Sequence, residues 1–253
     1  MENQYPVIMD SECDITFFVP CYNEEDNIIP TFGNIVGAAV EKGISYEIFV
    51  VDDRSLDNTA RVIEEYMQAN PEVPVTLVKN KKNMGLGRNY VEGAYLSKGK
   101  YYMLINGDTA EPQEAIVAIV DKLNQADMII PYFGLKDTRK IDRRILSRIF
   151  TALVNLLSGQ SLRYYNGPVA HLKFNVMRWH ADTDGFGYQA EILNRLLMEG
   201  VSYIEVEVPN IDRGSGVTSA FSLKNFLAVG HSLLQIFLRR VRWSLYYSDK
   251  NGS

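Results

Sequence analysis

The amino-acid sequence predicts an α/β fold in which helices flank a mostly parallel central sheet. In the first half of the chain, short runs rich in β-branched and aromatic residues alternate with longer segments of helical spacing. Such alternation is typical of a parallel sheet, because parallel neighbours need a crossover connection. The predicted strands are residues 15–19, 47–51, 75–79, 101–105 and 128–132. The predicted helices between them are residues 25–41, 57–69, 85–96 and 113–124.

The second half of the chain begins with a basic segment, residues 136–148, that runs into an apolar helical stretch. The next predicted elements are a helix at 189–198 and a strand at 201–208. The last predicted helix, residues 223–247, is amphipathic, since its apolar residues recur at helical spacing. Three basic residues cluster near its end: Arg239, Arg240 and Arg242. We predict one domain over residues 12–218 and a C-terminal helical extension over residues 219–253.

Composition and charge restrict the class of protein. Hydrophobic residues make up 46% and charged residues 23% of the 253, which is ordinary for a globular chain. The net charge of −5 argues against a nucleic-acid partner, because nucleic-acid binders are usually basic. The spacing of Cys13 and Cys21 matches neither a zinc site nor a redox pair, so we expect two reduced, structural thiols.

No segment has the length expected of a membrane span. The first residues lack the pattern of a signal peptide. The longest uncharged stretches, residues 149–162 and 225–238, are shorter than the roughly 20 apolar residues that cross a bilayer. We therefore expect a cytoplasmic protein, either soluble or peripheral at the inner face of a membrane.

Polar residues cluster where the first four predicted strands end. In an open α/β sheet, loops at the carboxyl ends of the strands form the ligand crevice, so we expect these four loops to converge. The candidate ligand-binding residues in them are Pro20, Tyr22, Asn23, Glu24, Asp52, Asp53, Asn83, Gly85, Arg88, Asn106 and Gly107.

The first two loops offer acceptors and helix N-termini. Asn23 and Glu24 precede a predicted helix, where backbone N–H groups can hold an anionic ligand; the alternative is that Asn23 simply caps that helix. Asp52 and Asp53 are adjacent carboxylates, which repel unless solvent, donors or a cation stabilises them. Either could accept a hydrogen bond from a base or a ribose hydroxyl. We expect Asp57 to cap the following helix.

The third loop contains Gly85 and Gly87 but not a dinucleotide fingerprint. Such a fingerprint needs a third glycine where this chain has Tyr90, and it follows the first strand of its domain rather than the third. This argues against a Rossmann oxidoreductase. Close approach of the backbone to a nucleotide, with Arg88 nearby, stays open.

The fourth loop contains Asn106-Gly107-Asp108. A bend at Gly107 could bring two oxygen-bearing side chains to one hard cation. Mg²⁺ or Mn²⁺ prefers such ligands and is typically bound by one or two carboxylates together with substrate phosphates. A cation there would stabilise charge on a leaving diphosphate.

In order and spacing, the segments VPCYNEEDNI, VDDRSLDNT, NMGLGRN and NGD resemble the family 2 glycosyltransferases, which have the GT-A fold. Within them, the chain is similar to the polyprenyl-phosphate sugar transferases related to dolichyl-phosphate mannose synthase. The resemblance extends over residues 15–218 and implies an inverting enzyme that uses a UDP- or GDP-linked sugar with Mg²⁺ or Mn²⁺. NGD stands where the family carries its metal-binding DxD. Asn106 thus replaces the first aspartate, Asp108 keeps the second, and Ala110 with adjacent Glu111 stands where related enzymes often have glutamine.

The resemblance continues into the acceptor side. RRILS is similar to the segment that binds the acceptor lipid phosphate, which implies contacts from Arg143 and Ser147; the alternative is a solvated basic helix face. The loop DRGSGVT is similar to the family's R-x-x-G-x-S segment, which implies that Arg213 neutralises phosphate charge. Glu191 is expected to support the site. The apolar helix beside RRILS suits either the core or a membrane interface, and the last helix suits a membrane surface, a homodimer or another partner.

Three functions stay open from the sequence. A phosphate acceptor is already anionic at neutral pH and needs positioning rather than a base. A hydroxyl acceptor would need a base, with Asp182 or Asp184 nearest. The third possibility is a non-catalytic nucleotide-sugar binding protein. The histidines, His171, His180 and His231, have no ligand spacing and are interpreted as structural.

Overall fold

A computed structural model describes residues 11–134, 137–178, 187–209 and 223–247. The strands within these residues are β1 (Cys13–Cys21), β2 (Tyr46–Asp52), β3 (Val75–Lys79), β4 (Gly99–Leu104), β5 (Met128–Tyr132), β6 (Ala170–Leu172) and β7 (Tyr203–Glu207). These seven strands form one sheet in the order β3-β2-β1-β4-β6-β5-β7. The helices are α1 (Ile28–Lys42), α2 (Thr59–Ala69), α3 (Leu86–Leu96), α4 (Gln113–Val120), α5 (Ile141–Ser158), α6 (Lys173–Met177), α7 (Tyr188–Met198) and α8 (Leu223–Tyr247).

The predicted mostly parallel sheet is confirmed. β1 pairs in parallel with β2 and β4, β2 with β3, and β5 with β7. The exception is β6, which is antiparallel to both β4 and β5 and was not predicted, because three residues are too few to show a strand pattern. Since β6 is antiparallel to both neighbours, β5 runs in the same direction as β4. The carboxyl ends of β1 to β5 therefore lie at one edge of the sheet.

Both faces of the central strand are buried, which explains its continuous apolar sequence. Phe17 and Val19 on one face of β1 pack in a cluster with residues of α1 and α4. Phe18 on the other face packs in a second cluster with residues of α3 and α7. Both cysteines are free thiols. Burial raises the pKa of Cys21, and burial followed by the charge of Glu47 raises the pKa of Cys13 to about 11, so both are protonated at neutral pH.

The last helix packs on the body of the chain and keeps an apolar stripe outside. α8 contacts α5 and α7, with Ser232 and Ile236 buried, and Arg240 Nη1 donates to the Leu156 carbonyl at 2.8 Å. Leu233 is partly buried against the core, and six large apolar side chains in the described part of α8 are exposed: Leu234, Phe237, Leu238, Val241, Trp243 and Leu245. In the described part of the chain, no helix combines the length and the hydropathy that a membrane span requires. The boundary at residue 218 stays a prediction.

One carboxylate joins the loop after β2 to the loop after β3. Asp53 Oδ1 accepts from the Met84 N–H at 2.8 Å and from Asn80 Nδ2 at 2.8 Å, and Oδ2 accepts from the Gly85 N–H at 2.9 Å. Burial opposes ionisation of Asp53, but these hydrogen bonds, with one from Asn89, hold its pKa below the usual value. The neighbouring Asp52 accepts only from the Ser55 N–H, at 3.0 Å, within the described residues.

We expect Asp53→Asn to lower the free energy of unfolding by about 1.5–3 kcal/mol, the range for hydrogen bonds to a charged group, because the new amide meets backbone donors. Urea denaturation at pH 7 measures this loss. Since the folded pKa of Asp53 is lowered, its advantage over asparagine is complete above about pH 4, near the pKa of an unfolded aspartate. That advantage disappears as the pH falls through the folded pKa.

Asp52→Asn is the matched control. It can keep an oxygen toward Ser55, so we expect a loss below about 1 kcal/mol. Equal losses in the two variants would contradict the assignment of the loop connection to Asp53.

Candidate functional site

The first loop, residues 22–27, is attached to the second loop by reciprocal hydrogen bonds. The Asn23 N–H donates to Ser55 Oγ at 3.0 Å, and Asn23 Oδ1 accepts from the Leu56 N–H at 2.8 Å. The Glu24 N–H donates to Thr59 Oγ1 at 2.8 Å. Asn23 adopts a left-handed conformation (φ 59°) and the residue that caps α1 is Asn27, so the alternative interpretation of Asn23 as the helix cap was wrong.

The N-cap position of α2 is Asn58, one residue after the predicted cap Asp57. Asp57 Oδ1 still accepts from the Thr59 N–H at 3.0 Å, so Asp57 satisfies a backbone donor at the start of α2. Its Oδ2 accepts from the Glu25 N–H at 3.2 Å, and Glu25 Oε2 accepts from the Asn58 N–H at 2.8 Å. The first two loops therefore form one hydrogen-bonded unit at the carboxyl edge of the sheet.

The adjacent aspartates differ in how many of their acceptor positions are already used. Asp53 uses both oxygens on the third loop, so its carboxylate is occupied. Asp52 is also buried, at 5% exposure, and within the described residues it accepts a single hydrogen bond. A buried carboxylate with remaining acceptor capacity is suited to a base or ribose donor. Of the predicted pair, Asp52 is thus the better candidate for nucleotide contact.

The third loop leads into α3 through Gly85, whose positive φ of 82° suits glycine. Asn83 Nδ2 donates to the Asp53 carbonyl at 3.3 Å, so it supports the second loop. Arg88 pairs with Glu92 one turn along α3, at 2.6 Å, and both side chains are 54% exposed. Exposed pairs of this kind contribute little to stability, and a bound anion could displace Glu92.

The fourth loop lies against the end of β1. A Cβ on Gly107 would stand 3.1 Å from the Pro20 carbonyl oxygen, so a larger residue there would push the two loops apart. Thr31 of α1 contacts the loop on both sides of Asp108. Its Oγ1 accepts from the Thr109 N–H at 3.1 Å, and its one proton is shared between the Gly107 carbonyl at 3.2 Å and the Asn27 carbonyl at 3.0 Å. Asp108, half-buried, is carried between these two anchored residues.

Glu111 was not among the predicted site residues, yet it holds the start of the fourth loop. Its Oε2 accepts from the Asn106 N–H at 3.1 Å and its Oε1 accepts from Asn106 Nδ2 at 2.9 Å. Its charge also reaches Tyr188 at the start of α7, whose pKa is raised first by burial and then by Glu111. The acidic residue next to Ala110 was the only sequence signal for this role.

The candidate cation ligands fit a metal shared with a substrate rather than an all-protein site. Within the described residues, no three His, Cys, Asp or Glu side chains come together as a metal-ligand group. Asp108 supplies one carboxylate and Asn106 one amide oxygen at the same bend. This set is typical of Mg²⁺ or Mn²⁺ held mainly by a diphosphate, with one protein carboxylate and water completing the shell.

Beyond β5, a network of arginine and aromatic residues connects the end of that strand to α5. Arg139 lies 4.4 Å from the ring centroid of Phe133 and 5.3 Å from that of Tyr164, and these two rings contact each other with their centroids 4.9 Å apart. Asp137 binds its guanidinium, with Oδ2 2.8 Å from Nη2. Burial raises the pKa of Tyr164, and the neighbouring Arg139 and Ser147 side chains act against that rise. The sequence grouped Arg139 with the basic segment but did not single it out, because Tyr164, which both contacts its guanidinium and hydrogen-bonds it, is 25 residues away.

Other predicted residues fall in three groups. Arg143 is half-buried on α5, and Glu191 of α7 is 1% exposed, as a supporting residue would be. Burial lowers the pKa of His171 to about 3, so it is neutral within the sheet, and His231 is exposed on α8. The remaining predicted residues lie outside the described residues: Arg213, Asp182, Asp184 and His180.

Solved structures confirm the predicted GT-A fold. A mannosyltransferase from Pyrobaculum calidifontis, solved with GDP-mannose and Mn²⁺, superposes with a TM-score of 0.60 at 15% identity, over 93% of this chain and 76% of that one. Glucosyl-3-phosphoglycerate synthase from Mycobacterium tuberculosis, solved with Mn²⁺, UDP-glucose and phosphoglyceric acid, gives 0.59 at 18% identity, over 90% and 80%.

Sequence relatives agree with the resemblance. A dolichyl-phosphate beta-glucosyltransferase from Dictyostelium discoideum is 29% identical over 43% of this chain. An undecaprenyl-phosphate 4-deoxy-4-formamido-L-arabinose transferase from Edwardsiella ictaluri is 26% identical over 65% of it. The matches span only 36% and 50% of those two proteins. An uncharacterised protein from Methanocaldococcus jannaschii is 28% identical over 87% of this chain and 98% of its own length.

The family itself follows from a broader match. The family model described as glycosyl transferase family 2 matches residues 16–185, which is more than half of the chain and includes all four loops at the carboxyl edge of the sheet. The chain therefore belongs to glycosyl transferase family 2.

Proposed function

We propose that this chain transfers a sugar, with inversion, from a nucleotide-diphosphate sugar to a polyprenyl phosphate at the cytoplasmic face of a membrane. The observation that carries the acceptor class is the position of α5: its basic start adjoins the carboxyl edge of the sheet, and its outer side exposes apolar residues. Two of the relatives are named for lipid-phosphate acceptors, which supports the same class.

The donor binds in the crevice formed by the first four loops. Asp52 accepts a hydrogen bond from the base or ribose of UDP or GDP, and the backbone around Asn23 and Gly85 lies along the nucleotide. Asp53 keeps the second and third loops in register and does not itself contact the donor. This assignment follows from the hydrogen-bonding capacity that each carboxylate retains.

Asp108, with the amide oxygen of Asn106, holds Mg²⁺ or Mn²⁺ together with the donor diphosphate. A bound divalent cation supplies positive charge that stabilises the leaving nucleoside diphosphate. The residues of the chain keep Asp108 in place for this: Thr31 anchors the loop on either side of it. Manganese in the two solved relatives supports a cation of this type.

The acceptor phosphate approaches from the α5 side. As an anion it attacks the anomeric carbon without a general base, so the chain has to position it and offset its charge. Arg143 and Ser147 bind the phosphate by charge-assisted and neutral hydrogen bonds, and Arg213 adds a second cation. The Tyr164 hydroxyl, which lies close enough to Ser147 for the two side chains to interact, helps to orient Ser147.

A membrane surface is the expected location of such an acceptor. Ile141, Ile145 and Ile149 follow one another along α5 at four-residue spacing and are 72%, 52% and 52% exposed. The exposed apolar stripe of α8 lies on the helix that packs beside α5. Basic residues accompany these apolar side chains: Lys140 precedes α5, Arg144 and Arg148 lie within α5, and Arg240 and Arg242 lie within α8. Apolar residues with basic flanks suit an interface carrying anionic headgroups.

Purified protein with Mg²⁺ or Mn²⁺ and a panel of nucleotide sugars should release nucleoside diphosphate only when a short-chain polyprenyl phosphate is present. Asp108→Ala should reduce this release about a thousandfold, because several kcal/mol of charge stabilisation is lost. Release that needs a glycan or small-molecule hydroxyl instead would replace the lipid-phosphate acceptor with a hydroxyl acceptor. Binding of a nucleotide sugar without release under any condition would favour the non-catalytic function.

Arg143→Ala should raise KM for polyprenyl phosphate about 10- to 100-fold, the loss expected for one charge-assisted hydrogen bond, and leave the affinity for the nucleotide sugar unchanged. Steady-state kinetics with each substrate varied in turn separates the two effects. Arg61→Ala is the control, since Arg61 is an exposed arginine on α2 paired only with Glu65 in the described structure. Equal KM values for Arg143→Ala and the wild type would contradict the acceptor contact.

The double variant Ile145→Asp and Ile149→Asp should lose binding to vesicles of anionic phospholipid, because it places charge on the proposed membrane face. Co-sedimentation measures the bound fraction, and activity on a water-soluble short-chain acceptor should stay near the wild-type level. Val40→Asp is the control: Val40 is 72% exposed on α1, away from α5 and α8. Loss of vesicle binding in both variants, or in neither, would contradict this face.

A further inference from the structure

We propose that Glu111 is a positioning residue for Asn106, and that the two form a matched pair that replaces the first carboxylate of the family's metal-binding motif. This proposal rests on the proposed function, because it assigns Asn106 a ligand. The proposal is based on two hydrogen bonds. The backbone N–H of Asn106 donates to Glu111 Oε2, and Asn106 Nδ2 donates to Glu111 Oε1.

The hydrogen-bonding chemistry fixes the orientation of the Asn106 amide. An ionised carboxylate only accepts hydrogen bonds, so the amide nitrogen has to face Glu111. The Asn106 Oδ1 is then turned away from Glu111. Without such a partner, rotation of the amide by 180° would let asparagine present either its oxygen or its N–H groups at the same place. Glu111 therefore decides that an oxygen, and not an N–H group, is available to a cation or to a diphosphate-bound cation at this position.

Glu111 is itself held rigidly enough for this role. It is 9% exposed, and its backbone carbonyl accepts from Asn34 Nδ2 of α1 at 3.1 Å. The next residue, Pro112, precedes α4, so the backbone of Glu111 is attached to helices on both sides. A carboxylate placed by two helices can orient the more exposed side chain that it binds.

The pair explains why the first position of the motif is asparagine. An aspartate at position 106 would bring a second carboxylate to about the 2.9 Å that now separates Asn106 Nδ2 from Glu111 Oε1. Like charges at that distance in a partly buried place repel strongly. Asn106 is then the residue that fits Glu111, and the negative charge expected at the first motif position is carried by Glu111, five residues later, which contacts Asn106.

The test uses Asn106→Asp, Glu111→Gln and the double variant that contains both changes. In the double variant, the amide and the carboxylate have exchanged positions. Asn106→Asp opposes two carboxylates, and Glu111→Gln leaves an amide donor facing one of the two Asn106 donors. In the double variant, the amide nitrogen introduced at position 111 can donate to the carboxylate introduced at position 106. The new amide oxygen then accepts from the backbone N–H of residue 106. Two properties are measured: the urea midpoint of the ligand-free protein, and the affinity for UDP or GDP with Mn²⁺ by calorimetry.

We expect each single variant to lower the urea midpoint and to weaken Mn²⁺-nucleotide binding about 10- to 100-fold, as loss of an orienting partner does. The double variant should recover both properties to within about threefold in affinity, since neighbouring groups in one network are not additive. Glu114→Gln is the control, because Glu114 is an exposed carboxylate on α4. It should change neither property.

Additive losses in the double variant would overturn the matched pair. Recovery of the urea midpoint with no recovery of Mn²⁺-nucleotide binding would overturn the positioning role and leave a purely structural contact. Failure of the wild type to bind any Mn²⁺-nucleotide would overturn the proposed function and the ligand role together, whereas the urea midpoints decide the Asn106–Glu111 contact separately.

Discussion

The crevice depends on carboxylates that hold backbone N–H groups. A parallel sheet brings four strand ends to one edge, but it leaves the loops beyond them without a hydrogen-bonding ladder. Asp53 supplies hydrogen-bond acceptors for the third loop, because its carboxylate accepts from two successive backbone N–H groups, those of Met84 and Gly85. Asp57 and Glu111 do the same for the first and fourth loops. Because each buried amide needs a partner, these acids determine the shape of the crevice before any ligand binds.

This use of acids also determines what the crevice can bind. Its rim is built from carboxylates, and Asp52 and Asp108 add two more at the positions where a nucleotide and a diphosphate would lie. A diphosphate is anionic, so such a rim would repel it unless a cation binds with it. The proposed divalent cation would offset this repulsion, so the way the loops are stabilised and the oxygen ligands of the fourth loop support the same proposal.

The sequence predicted most of the sheet because the central strands are long and apolar. All five strands predicted in the first half were found, and the helices differ mainly at their ends. For example, α1 begins at Ile28 because residues 22–27 are committed to the second loop. The antiparallel β6 could not be predicted, since its three residues pair with β4 and β5 across long stretches of chain.

Individual roles within the site were less predictable than its place. The sequence put Asp52 and Asp53 together but could not separate them, because the difference lies in their partners: Asp53 meets donors from two later segments of the chain. In the sequence, Glu111 stands out only as a neighbour of Ala110, and its contact with Asn106 depends on how the loop bends. Residue type and spacing locate a crevice, whereas hydrogen-bond partners decide which acids are left for the ligand.

The order of the strands connects the proposed donor crevice to α5, where the acceptor is proposed to bind. Because β6 is inserted antiparallel between β4 and β5, β5 ends at the same edge as the donor loops, and the chain passes directly from that edge through Phe133 and Arg139 into α5. α5 buries Val154 and Ser158 against the body and turns its isoleucines outward. A chain lying with these isoleucines in a lipid surface would keep the start of α5 at headgroup depth. A phosphate attached to a membrane lipid could then reach the donor crevice without leaving the interface, which requires no membrane-spanning segment in the catalytic domain.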